Sequence, residues 1–357
     1  MAGKKFDVAL VPGDGIGNEV VPAAVRVLEA VGRRHGIQFQ WHSFPWSCEY
    51  YVKTGRMMDA DGVEKVKDLD AILLGAVGYP GVADHVSLWG LLIPFRRELR
   101  QYVNLRPVKL MPGVATPLAG RTAADIDFVI IRENNEGEYS SIGGRMYAGT
   151  EEEFVSQESV FTKKGCDRVM RYAFELARNR SKRKVTSATK SNGIVHTMPY
   201  WDERFAAVAK EYADVKTDQF HIDILVAHFV QHPDWFDVVV ASNLFGDILS
   251  DLGAAVAGSI GLSPAANINP ERDFPSMFEP VHGSAPDIAG RGIANPIAQI
   301  ACGAMMLDHL GCEDAAREID RAIENVLAAG TSLTRDLGGQ ATTVQATDAV
   351  LAALEGA

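Results

Sequence analysis

Cysteine is scarce in this chain: Cys48, Cys166, Cys302 and Cys312 are all there is, and no two stand in a Cys-x-x-Cys spacing. Nothing in that distribution suggests a disulfide framework or a cysteine-based zinc site. Cys302 falls in an apolar helical stretch, where a thiol packs as a small hydrophobe. No run approaches the roughly 18 apolar residues of a membrane span, so no membrane partner is expected. The N-terminus lacks a basic segment followed by an apolar one of signal-peptide length, and a reducing, cytoplasmic setting is the default expectation. Positive charge is also short. Against 46 acidic residues stand 35 Lys and Arg, a net charge of −11, which disfavours a nucleic-acid partner whose phosphates would be repelled. One basic run, residues 178–184, precedes an apolar strand start and reads as a solvated helix end. Internal repeats, low-complexity tracts and the G-x-x-x-x-G-K-[ST] loop of a phosphotransferase are all missing.

What remains is ordinary globular material: 357 residues, 47% of them hydrophobic, enough for a large core in two domains or lobes. Short apolar runs alternate with amphipathic helices, the pattern of an α/β fold with a mostly parallel sheet. Strands are expected at Phe6–Val11, Ala71–Leu74, Phe128–Ile131, Val185–Thr189 and Val238–Ala241. Helices are expected from about Asn18 to Arg33, from Leu88 to Val103 and from Pro296 to Leu310, the last with proline suited to its first turn. Phe220–Val226 is ambiguous, with helix favoured through Phe229. Gly137–Thr162 has little apolar content of its own and reads as a protruding arm. The stretch after Asp251, through about residue 292, reads as Gly, Pro and Asn-rich loops.

The densest chemical signal is Ser242-Asn243-Leu244-Phe245-Gly246-Asp247-Ile248-Leu249-Ser250-Asp251. It follows a buried strand, and on a helix its two aspartates share one face, about 5–6 Å apart at Cβ. Two bare carboxylates so close call for a positive partner, and a hard divalent cation with oxygen ligands suits them. Other strand ends deliver Arg132 and Lys190, and the helix around Arg96 brings that residue and Arg106. Several arginines beside carboxylates describe a site for a small polyanion, because the planar guanidinium binds carboxylate in a two-pronged fork. Gly13-Asp14-Gly15-Ile16-Gly17 invites a dinucleotide reading, but Asn18 stands where G-x-G-x-x-G needs its last glycine. Glu279–Gly290 fits better, as a loop with a histidine, a carboxylate and exposed amides suited to an adenosine diphosphate group.

Taken together, Gly13–Gly17, Leu105-Arg106-Pro107, Arg132-Glu133-Asn134, Thr189-Lys190-Ser191-Asn192-Gly193, Asn243–Asp251 and the His282–Gly290 loop resemble the β-decarboxylating dehydrogenases. The match runs in order from Phe6 to about Leu354. Trp89-Gly90, Glu133–Tyr139 and the Gly143–Gln157 segment look most like the tartrate and D-malate dehydrogenase branch. The resemblance implies an isopropylmalate dehydrogenase-like two-domain α/β fold with mostly parallel sheets and a protruding arm. Residues 1–105 with 260–357 would form a large cofactor-binding domain. Residues 106–259 would form a smaller dimerisation and metal/substrate domain, with its arm at about 137–162.

The resemblance also implies roles. Asp247 and Asp251, with Asp223 from a second subunit, would hold Mg²⁺ or Mn²⁺. Arg96, Arg106 and Arg132 would clamp the substrate carboxylates. Lys190, also from the second subunit, would take the hydroxyl proton during hydride transfer, and Tyr139 would protonate the enol after loss of CO₂. His282, Gly283, Ser284, Ala285, Asp287 and Asn295 would bind the cofactor. Asp287 favours NAD, because a carboxylate accepts hydrogen bonds from a free ribose 2′-hydroxyl and repels a 2′-phosphate. A monovalent cation such as K⁺ is left open as an activator. The expected substrate is a small hydroxydicarboxylate: D-malate, oxidised and decarboxylated to pyruvate, with tartrate also accepted. The expected assembly is a homodimer with shared active sites. The segment before Arg96 lacks the serine or asparagine of isocitrate enzymes. Leu91 and Leu92 could admit an isopropyl group, which keeps 3-isopropylmalate dehydrogenase as the alternative. A non-catalytic nucleotide-binding regulatory subunit on the same fold would have lost Tyr139, Lys190 or a metal aspartate, and all are present.

Overall fold

The computed structural model describes residues 3–356. Its strands are β1 (Lys4–Gly13), β2 (Ile37–Ser43), β3 (Ala71–Ala76), β4 (Val103–Lys109), β5 (Asp127–Glu133) and β6 (Gly143–Met146), followed by β7 (Phe154–Gln157), β8 (Lys184–Thr189), β9 (Lys216–His221), β10 (Val238–Ala241), β11 (Pro264–Ile268) and β12 (Ser276–Pro280). The helices are α1 (Gly17–His35), α2 (Cys48–Thr54), α3 (Gly62–Val66), α4 (Asp84–Ser87), α5 (Ile93–Glu98) and α6 (Lys163–Arg178). Then come α7 (Thr197–Ala209), α8 (Ile222–Gln231), α9 (Asn243–Val256), α10 (Ile297–His309), α11 (Glu313–Ala329) and α12 (Thr343–Glu355).

Ten strands form one sheet in the order β2-β1-β3-β12-β11-β4-β5-β10-β8-β9. The first four are mutually parallel, as are the last four, and the two groups run in opposite directions. They meet at β11 and β4, which pair antiparallel with each other and with their outer neighbours. The remaining pair, β6 and β7, is an exposed antiparallel hairpin within the expected arm, closed at its base by a bridge between Gly137 and Val160.

The structure departs from several of these expectations. The helix expected through Val103 ends at Glu98. Arg100 then turns with φ of 50°, and Val103 opens β4. Arg106 therefore sits within a strand rather than on a helix end. Residues 216–231 contain both of the structures that the apolar run suggested, a strand to His221 and a helix from Ile222. The stretch after Asp251 is not all loop. α9 continues to Val256, and β11 and β12 fill the middle of the sheet.

Strand alternation sorts the core onto two faces. On one face a single apolar cluster runs the width of the sheet, from Val8 and Leu73 through Phe278, Val129 and Ile131 to Val185 and Val238, under α1, α6, α10, α11 and α12. On the other face the cover is parted. Trp46, Leu74, Leu91, Phe95 and Met277 make one cluster with α2 and α5, and Phe128, Ile130, Val239, Phe229 and Leu249 make another with α8 and α9. Between them β4, β5, β11 and β12 present polar residues on the same face: Asn104, Arg106, Arg132, Asn267 and Glu279. That gap in the apolar cover holds the candidate site.

Candidate active site

α9 carries Asp247 and Asp251 to the edge of the gap. Its apolar side, with Phe245 and Leu249, joins the second cluster. Two glycines let it lie close against the sheet: a Cβ at Gly246 would stand 2.5 Å from Cβ of Arg132, and one at Gly253 would stand 2.5 Å from Val108. This closeness sets the site's geometry. Arg132 Nη1 donates to Asp247 Oδ1, and Tyr139 Oη donates to Asp247 Oδ2 at 2.8 Å. Arg106 Nη1 stands 3.5 Å from Asp247 and 4.0 Å from Asp251.

The structure brings all three expected arginines into the gap and buries them at 5%, 8% and 2% exposure for Arg96, Arg106 and Arg132. Buried cations need partners, and asparagines supply much of what is needed. Arg106 Nε donates to Asn104 Oδ1 at 2.6 Å, and Arg106 Nη1 to Ser250. Arg132 Nε and Nη2 both donate to Asn243 Oδ1, at 3.0 and 2.7 Å. Arg96 Nη2 donates to Glu279 at 3.0 Å, and Asn267 Nδ2 reaches the same oxygen at 2.8 Å. Asn104 and Asn134 in turn donate to Asn267 Oδ1. One donor, Nε of Arg96, is buried with no partner. Asn134, Asn243, Ser250 and Glu279 stood within the quoted segments without an assigned role, and Asn104 and Asn267 were not singled out from sequence. The signal for Asn104 was available, since a polar residue two positions from Arg106 on the same strand must share its face.

Charge coupling sets the protonation states. Burial opposes ionisation of Asp247, but Arg132 and Arg106 outweigh it and hold its carboxyl below the usual carboxylate range. Partial burial and then repulsion by Asp247 shift Asp251 upward, against the pull of Arg106. Burial lowers the pKa of Arg106 and Arg132, with Asp247 opposing the shift. Burial and the Asp247 charge raise the Tyr139 phenol above its ordinary value, so it keeps the hydrogen that it donates to Asp247.

Lys190 and Asp223 are also brought together, by a 2.7 Å hydrogen bond from Nζ to Oδ1. That bond lowers the pKa of Asp223. In the bonding pattern of the described residues this pair stands apart from the Asp247 cluster. Among those residues no group of three His, Cys, Asp or Glu side chains converges to hold a metal within the chain. Asp247 and Asp251 are suitable hard donors one helical turn apart, but they make only part of a coordination shell.

The loop after β12 gathers the expected cofactor residues. Nδ1 of His282 bonds to the Gly283 carbonyl at 3.0 Å, which requires the proton on that nitrogen. Burial keeps the imidazole neutral, and its Nε2 is buried with no partner, an acceptor waiting for a donor. Ser284 is buried, and Gly283 and Asp287 are exposed. Ala285 takes φ of 40°. Asn295 is held by Asp336, to which it donates at 2.9 Å, and by the Ile297 amide. The Gly13–Gly17 turn supports this loop from below. Ile16 N–H donates to the Ser284 carbonyl at 2.9 Å, and a Cβ at Gly15 would strike that oxygen. Glu19 accepts from Gly290 N–H at 2.7 Å. Asp336 and Glu19 are further supporting residues that sequence reasoning did not reach. Leu91 is fully buried in the core beside Phe95, and Leu92 packs against the same cluster. Of the two residues expected to offer an apolar wall to an isopropyl group, Leu91 is committed to the core, and Leu92 stays half-buried.

The sequence matches the isocitrate/isopropylmalate dehydrogenase family over residues 7–351. It is 58% identical over 354 residues to D-malate dehydrogenase [decarboxylating] of Escherichia coli (strain K12), covering 97% of this chain and 98% of that protein. It is 57% identical over 353 residues to tartrate dehydrogenase/decarboxylase of Pseudomonas putida, covering 97% and 96%. The fold superposes on the crystal structure of isocitrate dehydrogenase from Methylococcus capsulatus with a TM-score of 0.88 and 37% identity, covering 98% and 99% of the two chains.

Proposed function

We propose that this chain, which belongs to the isocitrate/isopropylmalate dehydrogenase family, is the NAD-dependent oxidative decarboxylase of D-malate, also oxidising tartrate. The observation that carries the substrate class is the set of three buried guanidiniums, Arg96, Arg106 and Arg132, around the unmatched Nε of Arg96. Such a set suits a ligand with two carboxylates. Relatives named for D-malate and tartrate support the finer choice. So does the burial of Leu91 in the core, which takes from isopropylmalate one of the two apolar side chains expected to receive it.

The arginines would fix the two carboxylates and so orient the hydroxyl-bearing carbon toward the nicotinamide. Lys190 from a second copy would accept the hydroxyl proton as the hydride leaves for NAD. The 2-keto acid would then lose its β-carboxylate as CO₂, and the enol carbon would take its proton from Tyr139, which burial keeps protonated. A divalent cation on Asp247 and Asp251, with Asp223 of the second copy, would draw charge from the substrate hydroxyl and lower its pKa. The orphaned Nε2 of His282 and the exposed Asp287 suit the adenosine end of NAD.

The homodimer belongs to the same proposal. Among the described residues of one chain, Asp223 does not join Asp247 and Asp251 in a three-ligand group, and Lys190 bonds to Asp223. Large apolar side chains lie exposed on α8 (Ile224, Val230), α9 (Leu244, Ile248) and the hairpin (Met146, Phe154, Val155), a surface that a second copy would cover. A panel of D-malate, the tartrate isomers and 3-isopropylmalate, each with NAD and with NADP and with Mn²⁺ or a chelator, tests the reading. D-malate with NAD and Mn²⁺ is expected to turn over fastest; a faster rate on isopropylmalate would overturn the choice of substrate.

A further inference from the structure

The segment that leads to Tyr139 is fastened to α9 in an unusual way. Ser242 occupies the N-cap of that helix, yet its hydroxyl caps none of the helix's own amides. It donates instead to Oε1 of Glu138 at 2.7 Å. Leu244 N–H, one of the unpaired first-turn donors, goes to Oε2 of the same glutamate at 3.0 Å. Glu138 thus does the capping from outside the helix, with its charge at the positive end of the helix dipole.

Neighbouring contacts tighten the joint. Asn243 Nδ2 donates to the Glu136 carbonyl at 3.0 Å. Between them Gly137 turns at φ of 83°, with the site of its absent Cβ 3.4 Å from that of Asn243. From the other side of the gap, Nη2 of Arg97 donates to the Tyr139 carbonyl at 2.6 Å. Tyr139 is the next residue after Glu138, and its phenol meets Asp247 one turn along the same helix.

We propose that Glu138 is a positioning residue: by capping α9 from the adjoining segment, it holds the Tyr139 phenol in register with Asp247 and acts on the reaction only through Tyr139. The proposal rests on the reading of Tyr139 as the proton donor. A general loss of structure would harm every step. A loss of register should be invisible once the phenol oxygen is gone.

The test is a double-mutant cycle of wild type, Glu138→Ala, Tyr139→Phe and the double variant, following NADH and CO₂ at saturating NAD and Mn²⁺. Glu138→Ala is expected to lower kcat about tenfold, and to lower it by less than about twofold in the Tyr139→Phe background. KM for NAD should not move. Losses that multiply in the double variant would overturn the proposal. Glu138→Gln keeps an acceptor for Leu244 N–H and should recover most of kcat; recovery no better than alanine would also overturn it. If the alanine variant does not fold, Glu138→Asp, too short to span both donors, takes its place in the cycle. The cycle is run on whichever of D-malate and isopropylmalate wild type turns over faster, so a wrong substrate leaves the positioning claim tested. A fully active Tyr139→Phe would fault the proton-donor reading and the proposal built on it, a result distinct from multiplicative losses.

Discussion

Glu133 ends β5 at 1% exposure, accepting from the amides of Asn135 and Glu136, with Arg168 3.9 Å away. Burial pushes its carboxyl up to about 7, against an ordinary value of 4.5. A carboxyl raised by folding binds its proton more tightly in the native state. Its contribution to stability is therefore present below the unfolded value and lost as pH rises through about 7. Thermal melts between pH 5 and 8 should show wild type losing stability over that window by a few kcal/mol, with Glu133→Gln markedly flatter. Identical slopes would place the titration elsewhere. Asp247→Asn replaces one of two paired carboxylates with a neutral amide and should weaken Mn²⁺ binding by about tenfold or more, read by equilibrium dialysis without any turnover. Asp287→Ala should lower the NAD over NADP preference by about tenfold. A preference that stays put would mean that Asp287 does not face the ribose. The aspartates and arginines were legible in the sequence because their types announce their chemistry. The asparagines that hold them were not, since an isolated Asn in a strand is indistinguishable from a loop residue until its face is known.

At the scale of elements, β10 and α9 were legible because a dense apolar run followed by paired aspartates reads the same way in sequence and in space. β11 and β12 were not. Pro264-Ala265-Ala266-Asn267-Ile268 and Ser276-Met277-Phe278-Glu279-Pro280 bury small and polar residues because one of their faces lines the gap rather than the core, so neither looks apolar enough for a central strand. The helix through Val103 was over-read for the converse reason: the apolar spacing continues across a turn that Arg100 makes at positive φ. The close seat of α9 on β5 leads to a further prediction. Gly246→Ala would press a methyl against the Cβ and Cγ of Arg132 and shift the guanidinium. kcat/KM for the hydroxydiacid should then fall by about a hundredfold, while circular dichroism stays native. An unaffected kcat/KM would show that α9 can retreat at no cost.

For the whole molecule, the decisive point is that among the described residues Asp223, bonded to Lys190, does not converge with Asp247 and Asp251 on a metal site within one chain. If two copies complete each other's sites, Asp247→Asn and Lys190→Ala variants, each inactive alone, should complement when co-refolded. Random mixing makes half the dimers hybrid, each with one intact site, so activity should return to about a quarter of wild type. No recovery would mean that each chain builds its site alone. The single sheet has a mechanical corollary. Its rear layer is continuous from β1 to β8, whereas its front layer is parted at the arginines. The two walls of the site are thus leaves of one blade, backed on one side only. Any approach of one wall to the other is flexure of that blade along β11 and β4, where Asn104 of β4 holds Arg106 and Asn267 of β11 steadies the Glu279 that pairs with Arg96. The line along which the molecule bends is also the line along which it would grip its ligand.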